Sequence, residues 1–228
     1  MKVTTDSCLF GARVARAIQS ITKVNKKNEM QNILDIGTGT GLLSLMIAQK
    51  NQEVVIDAIE IDNGSATQAK ENISASGWKK KIRVIEADVK KTEFPSLYDV
   101  IISNPPFYEN ELASPDPKKK VAHHDEGLLL ERLLIIIKKN LKKNGKFFLL
   151  SSNKRHKELE KLFSRHGLFV SEKLLVRQTV NHTVTRVIYS GSKSVAEKII
   201  ISEISIRDDK QQYTREFTTL LEDYYLNF

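Results

Sequence analysis

The stretch that decides the fold runs Asn32-Ile33-Leu34-Asp35-Ile36-Gly37-Thr38-Gly39-Thr40-Gly41-Leu42. A short apolar run carrying one aspartate meets glycine at every second position, and a helical pattern with apolar Leu42, Leu45, Met46 and Ile47 begins at once. Glycines between a strand and its helix let a ligand approach the backbone closely, because no Cβ stands in the way. The spacing is GxGxG after an acidic residue, which differs from the GxGxxG of the dinucleotide fingerprint.

Outward from this loop, β-branched or apolar runs alternate with longer helical segments, the pattern of βα units feeding a parallel sheet. Strands are expected at Asn32–Ile36, Val54–Ile61, Ile82–Ala87, Tyr98–Ser103, Lys146–Ser151, Leu168–Val176, Thr183–Tyr189 and Ile199–Ile206. Helices are expected at Gly41–Gln49, Gly64–Ser76 and Asp125–Asn144, the last closed by Gly145. The short connection between Leu168–Val176 and Thr183–Tyr189 points to an antiparallel pair. The expected architecture is therefore α/β: a Rossmann-like mixed sheet of seven to eight strands with helices on both faces. A single domain over 1–228 is expected, with 1–30 flanking the ligand site and 31–228 forming the α/β core.

Composition sets the bounds. In 228 residues, 40% hydrophobic and 28% charged with 10 Gly and 5 Pro is a globular mixture. No apolar run reaches the length of a membrane span, and Met1–Ser7 lacks the basic and apolar regions of a secretory signal, so a cytoplasmic protein without membrane association is expected. Cys8 is the only cysteine, which excludes an internal disulfide and leaves no multi-cysteine metal site. His123-His124-Asp125 reads as a helix entry, so no metal is expected. The net charge of +8 favours a polyanionic partner.

Two further strand ends carry acids that fit the glycine loop. Glu60, in Ala58-Ile59-Glu60-Ile61-Asp62, lies about twenty residues beyond the loop, where a carboxylate accepts from ribose hydroxyls, and Asp62 is a second candidate. Asp88, in Glu86-Ala87-Asp88-Val89, closes the third strand and is placed to accept from an adenine amino group. An adenosine-containing ligand fits this set. All five prolines fall between Pro95 and Pro117, a window read as irregular loop after the fourth strand, at the sheet edge where open α/β sheets bind ligands. Within it, Ser103-Asn104-Pro105-Pro106-Phe107-Tyr108 faces the glycine loop.

An exocyclic or carboxamide nitrogen is a poor nucleophile because its lone pair is delocalised. Two acceptors on its N–H bonds favour a pyramidal nitrogen and aim that lone pair at an electrophile. The Asn104 side-chain oxygen and the Pro105 carbonyl are candidates for those acceptors, Phe107 for a stacking platform, and Tyr108 for a flanking contact. Lys118, Lys119, Lys120, Lys154 and Arg155, with Lys90, Lys91 and Lys157, follow strand carboxyl ends and are candidates for phosphate contacts.

These residues resemble the class I S-adenosylmethionine-dependent methyltransferases. The resemblance implies that Asp35, Gly37 and Gly39 line the methionine end of S-adenosyl-L-methionine, that Glu60 holds the ribose and that Asp88 with Val89 holds the adenine; Asn104 adjoins both cofactor and target. The Asn-Pro-Pro-Phe motif is similar to that of enzymes acting on adenine N6, cytosine N4 or a glutamine amide. Met1–Asp6, Leu34–Leu42, Ala58–Asp62, Ile101–Phe107, Ala122–Asp125 and Tyr213–Tyr225 together resemble the bacterial tRNA1(Val) adenine-N6-methyltransferases, which modify adenine 37 of an anticodon loop. That implies a tRNA partner; a monomeric enzyme is expected. Members of that family carry a segment ahead of Met1-Lys2-Val3, where this chain begins, and more often have Gly at position 4. Two other readings stay open: a release-factor glutamine methyltransferase, disfavoured by the roughly 30 residues before the first strand, and a catalytically silent RNA-binding module, disfavoured by intact Glu60 and Asn104.

Overall fold

The computed structural model describes residues 4–25, 30–105 and 130–227, the side chains of 22–25 excepted. Among the described residues are eight strands: β1 (Gln31–Ile36), β2 (Val54–Glu60), β3 (Ile82–Glu86), β4 (Tyr98–Ser103), β5 (Leu141–Ser152), β6 (Phe169–Thr179), β7 (Val184–Ser192) and β8 (Ile200–Arg207). They form one sheet in the order β3-β2-β1-β4-β5-β7-β6-β8. Strands β1 to β5 are mutually parallel where they pair, and β7 runs antiparallel to both β5 and β6. Strand β8 pairs parallel with β6. The strand order reverses between β1 and its neighbour β4, which makes the carboxyl ends of those two strands the crevice of the fold.

The alternation of each strand sorts its side chains onto two cores. Ile33, Val100, Ile102 and Phe148 point to one face with α1 (Thr5–Asn25), α2 (Leu42–Lys50), α3 (Asn63–Ser74) and α6 (Arg215–Leu221). Leu34, Ile36, Ile101 and Phe147 point to the other, with α4 (described over 130–140) and α5 (His156–Arg165). Strands buried on both faces read as near-continuous apolar runs, which is why they are conspicuous in the sequence.

Three expectations are corrected. The helix read as ending at Asn144 ends at 140, and Leu141 opens β5 beside Tyr98, so Gly145 lies within a strand. The proline window is not continuous loop: β4 occupies its interior, and Pro95 precedes that strand. Strand β3 ends at Glu86, so Asp88 sits two residues beyond it, in a turn closed by Lys91 N–H donating to the Asp88 carbonyl at 2.9 Å. Helices α1, α5 and α6 were not foreseen.

Candidate active site

The glycine loop is wound by its own backbone. Gly37, Gly39 and Gly41 have φ of 72°, 60° and 85°, and the Gly37 and Thr38 N–H groups both donate to the Ile59 carbonyl, at 2.9 and 3.1 Å. A side chain at Gly37 would be strained by its positive φ, yet its Cβ would meet no atom within 4 Å. The conformation leaves open space over the backbone, where a ligand can lie.

Beneath the loop sits Asp35, fully buried. Its Oδ2 accepts from Thr38 Oγ1 at 2.7 Å and Ser44 Oγ at 2.8 Å. Burial pushes its pKa up from 3.8 to about 6; the two hydroxyls oppose the shift and the nearby charge of Glu60 adds to it. Its Oδ1 is shielded and has no hydrogen-bond partner among the described residues. A buried carboxylate with one orphaned oxygen is a site for a cation or an N–H donor.

Glu60, at the end of β2, is also buried. Its Oε2 accepts from the Gly39 N–H at 2.8 Å, and its Oε1 from the N–H groups of Ile61 and Asp62 at 2.9 and 3.0 Å. The carboxylate is thereby fixed in orientation against the glycine loop. Asp62 serves the helix that follows. It is exposed and caps α3 by accepting from the Ser65 N–H at 2.8 Å, and that bond holds its pKa below the usual range. Asp88 is half-buried, accepting from the Lys90 N–H at 3.0 Å with the Lys90 ammonium 3.5 Å away, and Val89 is half-buried beside it.

The facing wall comes from β4. Ile36 and Ser103 are register partners, and Ser103 Oγ donates to the Ile36 carbonyl at 2.9 Å, so Asn104 leaves the sheet alongside Gly37. Asn104 Nδ2 donates to Ser7 Oγ of α1 at 2.9 Å. Its Oδ1 is shielded and, among the described residues, unpartnered. Pro105 follows, half-buried. Phe107, Tyr108, Lys118, Lys119 and Lys120 lie outside the described residues, as do His123, His124 and Asp125.

Lys154 and Arg155 form a single 3-10 turn directly after β5, at the same edge of the sheet. Lys154 is exposed, while the Arg155 guanidinium is engaged with Glu158 at 3.0 and 3.1 Å. Thr38, Ser44 and Ser7 are site residues that the sequence reading missed. For Thr38 a signal existed, a hydroxyl three residues after an aspartate in a turn; Ser7 had none, since 97 residues separate it from Asn104.

No described helix is long and apolar enough to cross a membrane. Among the described residues there is no group of three His, Cys, Asp or Glu that could hold a metal ion.

The sheet order, the glycine loop and the buried carboxylates of Asp35 and Glu60 beside it define a class I methyltransferase fold. Residues 1–176 match the methyltransferase small domain family. The chain is 35% identical over 227 residues to the tRNA1(Val) (adenine(37)-N6)-methyltransferase of Tolumonas auensis, spanning 99% of this chain and 90% of that one. The enzyme of the same name from Glaesserella parasuis is 31% identical over 226 residues, spanning 99% and 91%. A predicted O-methyltransferase of Agrobacterium tumefaciens has a TM-score of 0.69 over 86% of this chain and 90% of that one, with 15% identity, a likeness of fold alone. The chain belongs to the methyltransferase small domain family and, within it, to the tRNA1(Val) (adenine(37)-N6)-methyltransferases.

Proposed function

We propose that residues 1–228 act as one catalytic domain, a cytoplasmic monomer that methylates the N6 amine of adenine 37 in tRNA1(Val). The observation that carries this reading is Asn104: an amide at the crevice whose nitrogen is occupied by Ser7 and whose oxygen is left as a shielded acceptor with no partner among the described residues.

The residues present fit S-adenosyl-L-methionine. The orphaned Asp35 Oδ1 suits its ammonium group, the open left-handed Gly37 admits its backbone-hugging chain, and Glu60 retains lone pairs for ribose hydroxyls. Asp88 with Val89 would hold the adenine. Bound there, S-adenosyl-L-methionine supplies an electrophilic methyl group.

The chain's own part is orientation. The Asn104 oxygen and the Pro105 carbonyl accept the two N–H bonds of the target amine and turn its lone pair out of conjugation. Phe107 stacks on the base and Tyr108 flanks it. The nitrogen sheds its surplus proton to solvent after transfer, so the site needs no strong base; holding the reactants in line provides the rate. A base reaches Asn104 only when unstacked, which costs least in a hairpin loop. Lys154, together with Lys118, Lys119 and Lys120, contacts phosphates, and Arg155 joins them by exchanging Glu158 for RNA.

The test is transfer of labelled methyl to unmodified bacterial tRNA, with the nucleosides of the product identified by mass spectrometry. N6-methyladenosine in one tRNA, lost in Asn104→Ala, is expected. Methylation of a release-factor glutamine in place of tRNA would overturn the reading, and cofactor binding without any transfer would leave the silent RNA-binding module.

A further inference from the structure

An asparagine amide offers two ends of nearly equal size and opposite polarity, and only one of them is useful at this site. The acceptor must face the target amine, so something has to hold the other end. Asn104 Nδ2 donates to Ser7 Oγ at 2.9 Å across 97 residues of sequence. A serine hydroxyl alone does not settle the matter, because it both donates and accepts. That hydroxyl is held in place by the next group along. Ser7 Oγ lies 2.9 Å from Thr4 Oγ1, and Thr4 Oγ1 also accepts from the Ser7 N–H at 3.3 Å in the manner of a helix N-cap. Either hydroxyl of the Thr4–Ser7 pair can donate to the other, and with Ser7 Oγ accepting from Asn104 Nδ2 the amide oxygen is the end left for a donor.

The start of α1 is itself tied to the sheet. Asp6 accepts from Arg186 Nε at 3.1 Å and from Gln178 Nε2 at 3.3 Å, and both ion-pair side chains are less than one-fifth exposed. Strands β6 and β7 therefore fix the neighbour of Ser7, and Ser7 fixes Asn104.

We propose that Ser7 is a positioning residue for methyl transfer: through the Thr4–Ser7 hydroxyl pair it holds the Asn104 amide with its oxygen toward the substrate amine. This rests on the reading of Asn104 given above. Ser7 touches neither cofactor nor substrate in this role, so its loss lowers turnover without lowering affinity for either.

The experiment compares Ser7→Ala, Ser7→Thr and Asn104→Ala in single-turnover methyl transfer to tRNA, alongside cofactor Kd by calorimetry, tRNA KM and thermal unfolding. Ser7→Ala is expected to slow transfer by roughly tenfold, the change that about 1.4 kcal/mol produces, with cofactor Kd and tRNA KM within about twofold of the parent. Ser7→Thr, which keeps the hydroxyl, is expected to restore transfer to within about threefold. Full activity in Ser7→Ala, with Asn104→Ala impaired, overturns the positioning role and leaves the Asn104 reading intact. Full activity in Asn104→Ala overturns the reading beneath it. A Ser7→Ala protein that loses cofactor affinity and thermal stability along with turnover, unrescued by threonine, shows a merely structural serine and also overturns the proposal.

Discussion

The two walls of the crevice are built in different ways. On the glycine-loop side, Asp35, Thr38, Ser44, Gly39 and Glu60 are joined by hydrogen bonds that span 3 to 21 residues of sequence. On the Asn104 side the partners are far apart: Asn104 and Ser7 are separated by 97 residues, Asp6 and Arg186 by 180. The first wall forms with the opening βαβ unit. The second exists only once α1 has docked and the β6–β7 hairpin has paired. A local scaffold suits a ligand common to many enzymes of one fold, and a long-range one suits the part that chooses the substrate.

Mutations separate the walls. The largest effect is expected for Asn104→Ala, with turnover falling by about a thousandfold, in the range for removing a positioned transition-state acceptor or donor. Cofactor affinity should stay within about threefold, since the glycine-loop network is untouched; stopped-flow transfer and calorimetry on one preparation check both. Glu60→Ala should do the reverse. It removes charge-assisted bonds to a ribose and releases the Gly39 N–H, and affinity should fall by about a hundredfold while turnover at saturation changes by less than tenfold.

A third prediction uses pH. Burial pushes the Asp35 pKa up from 3.8 to about 6. Its folded pKa is raised, so the stability it contributes is fully present below the ordinary value and is lost as pH rises through about 6. A cationic ligand prefers the ionised form, so cofactor affinity should weaken by up to about tenfold per unit as pH falls below 6. In Asp35→Asn that slope should vanish from the binding isotherms. The smallest effect is expected for Arg186→Ala. Loss of a largely buried ion pair should cost about 1 kcal/mol of stability and slow transfer severalfold with cofactor affinity unchanged, measured by thermal unfolding and initial rates. Equal loss of affinity would join the two walls that the comparison keeps apart.

The same contrast explains what the sequence made legible. Strands β1 and β4 are buried on both faces and bounded by turn residues, so their apolar runs stand out; β2 and the edge strand β3 are more exposed but keep β-branched runs, and the acidic residues that follow these strands sit at readable spacings. Helix α1 was missed although Leu9, Phe10, Val14 and Ile18 are buried on one face. Gly11 interrupts it at a cost in propensity that only packing explains: a Cβ there would lie 2.6 Å from Met46 Sδ of α2. Helix α5 was missed because its apolar face is reduced to Leu159, Leu162 and Phe163 among charged residues. The end of α4 was misplaced because Leu141 to Asn144 suits a helix by composition, and only pairing with β4 draws it into β5. Asn104 was legible as a motif; Ser7, which orients it, depends on a contact no local pattern encodes.

The most direct test of adenine-N6 transfer uses two transcripts of tRNA1(Val), one with adenine 37 and one with guanine there, under single-turnover conditions with nucleoside mass spectrometry. One methyl per molecule is predicted on the first, recovered as N6-methyladenosine, and none on the second. Undiminished transfer to the guanine transcript would contradict a site built around the exocyclic amine of adenine 37.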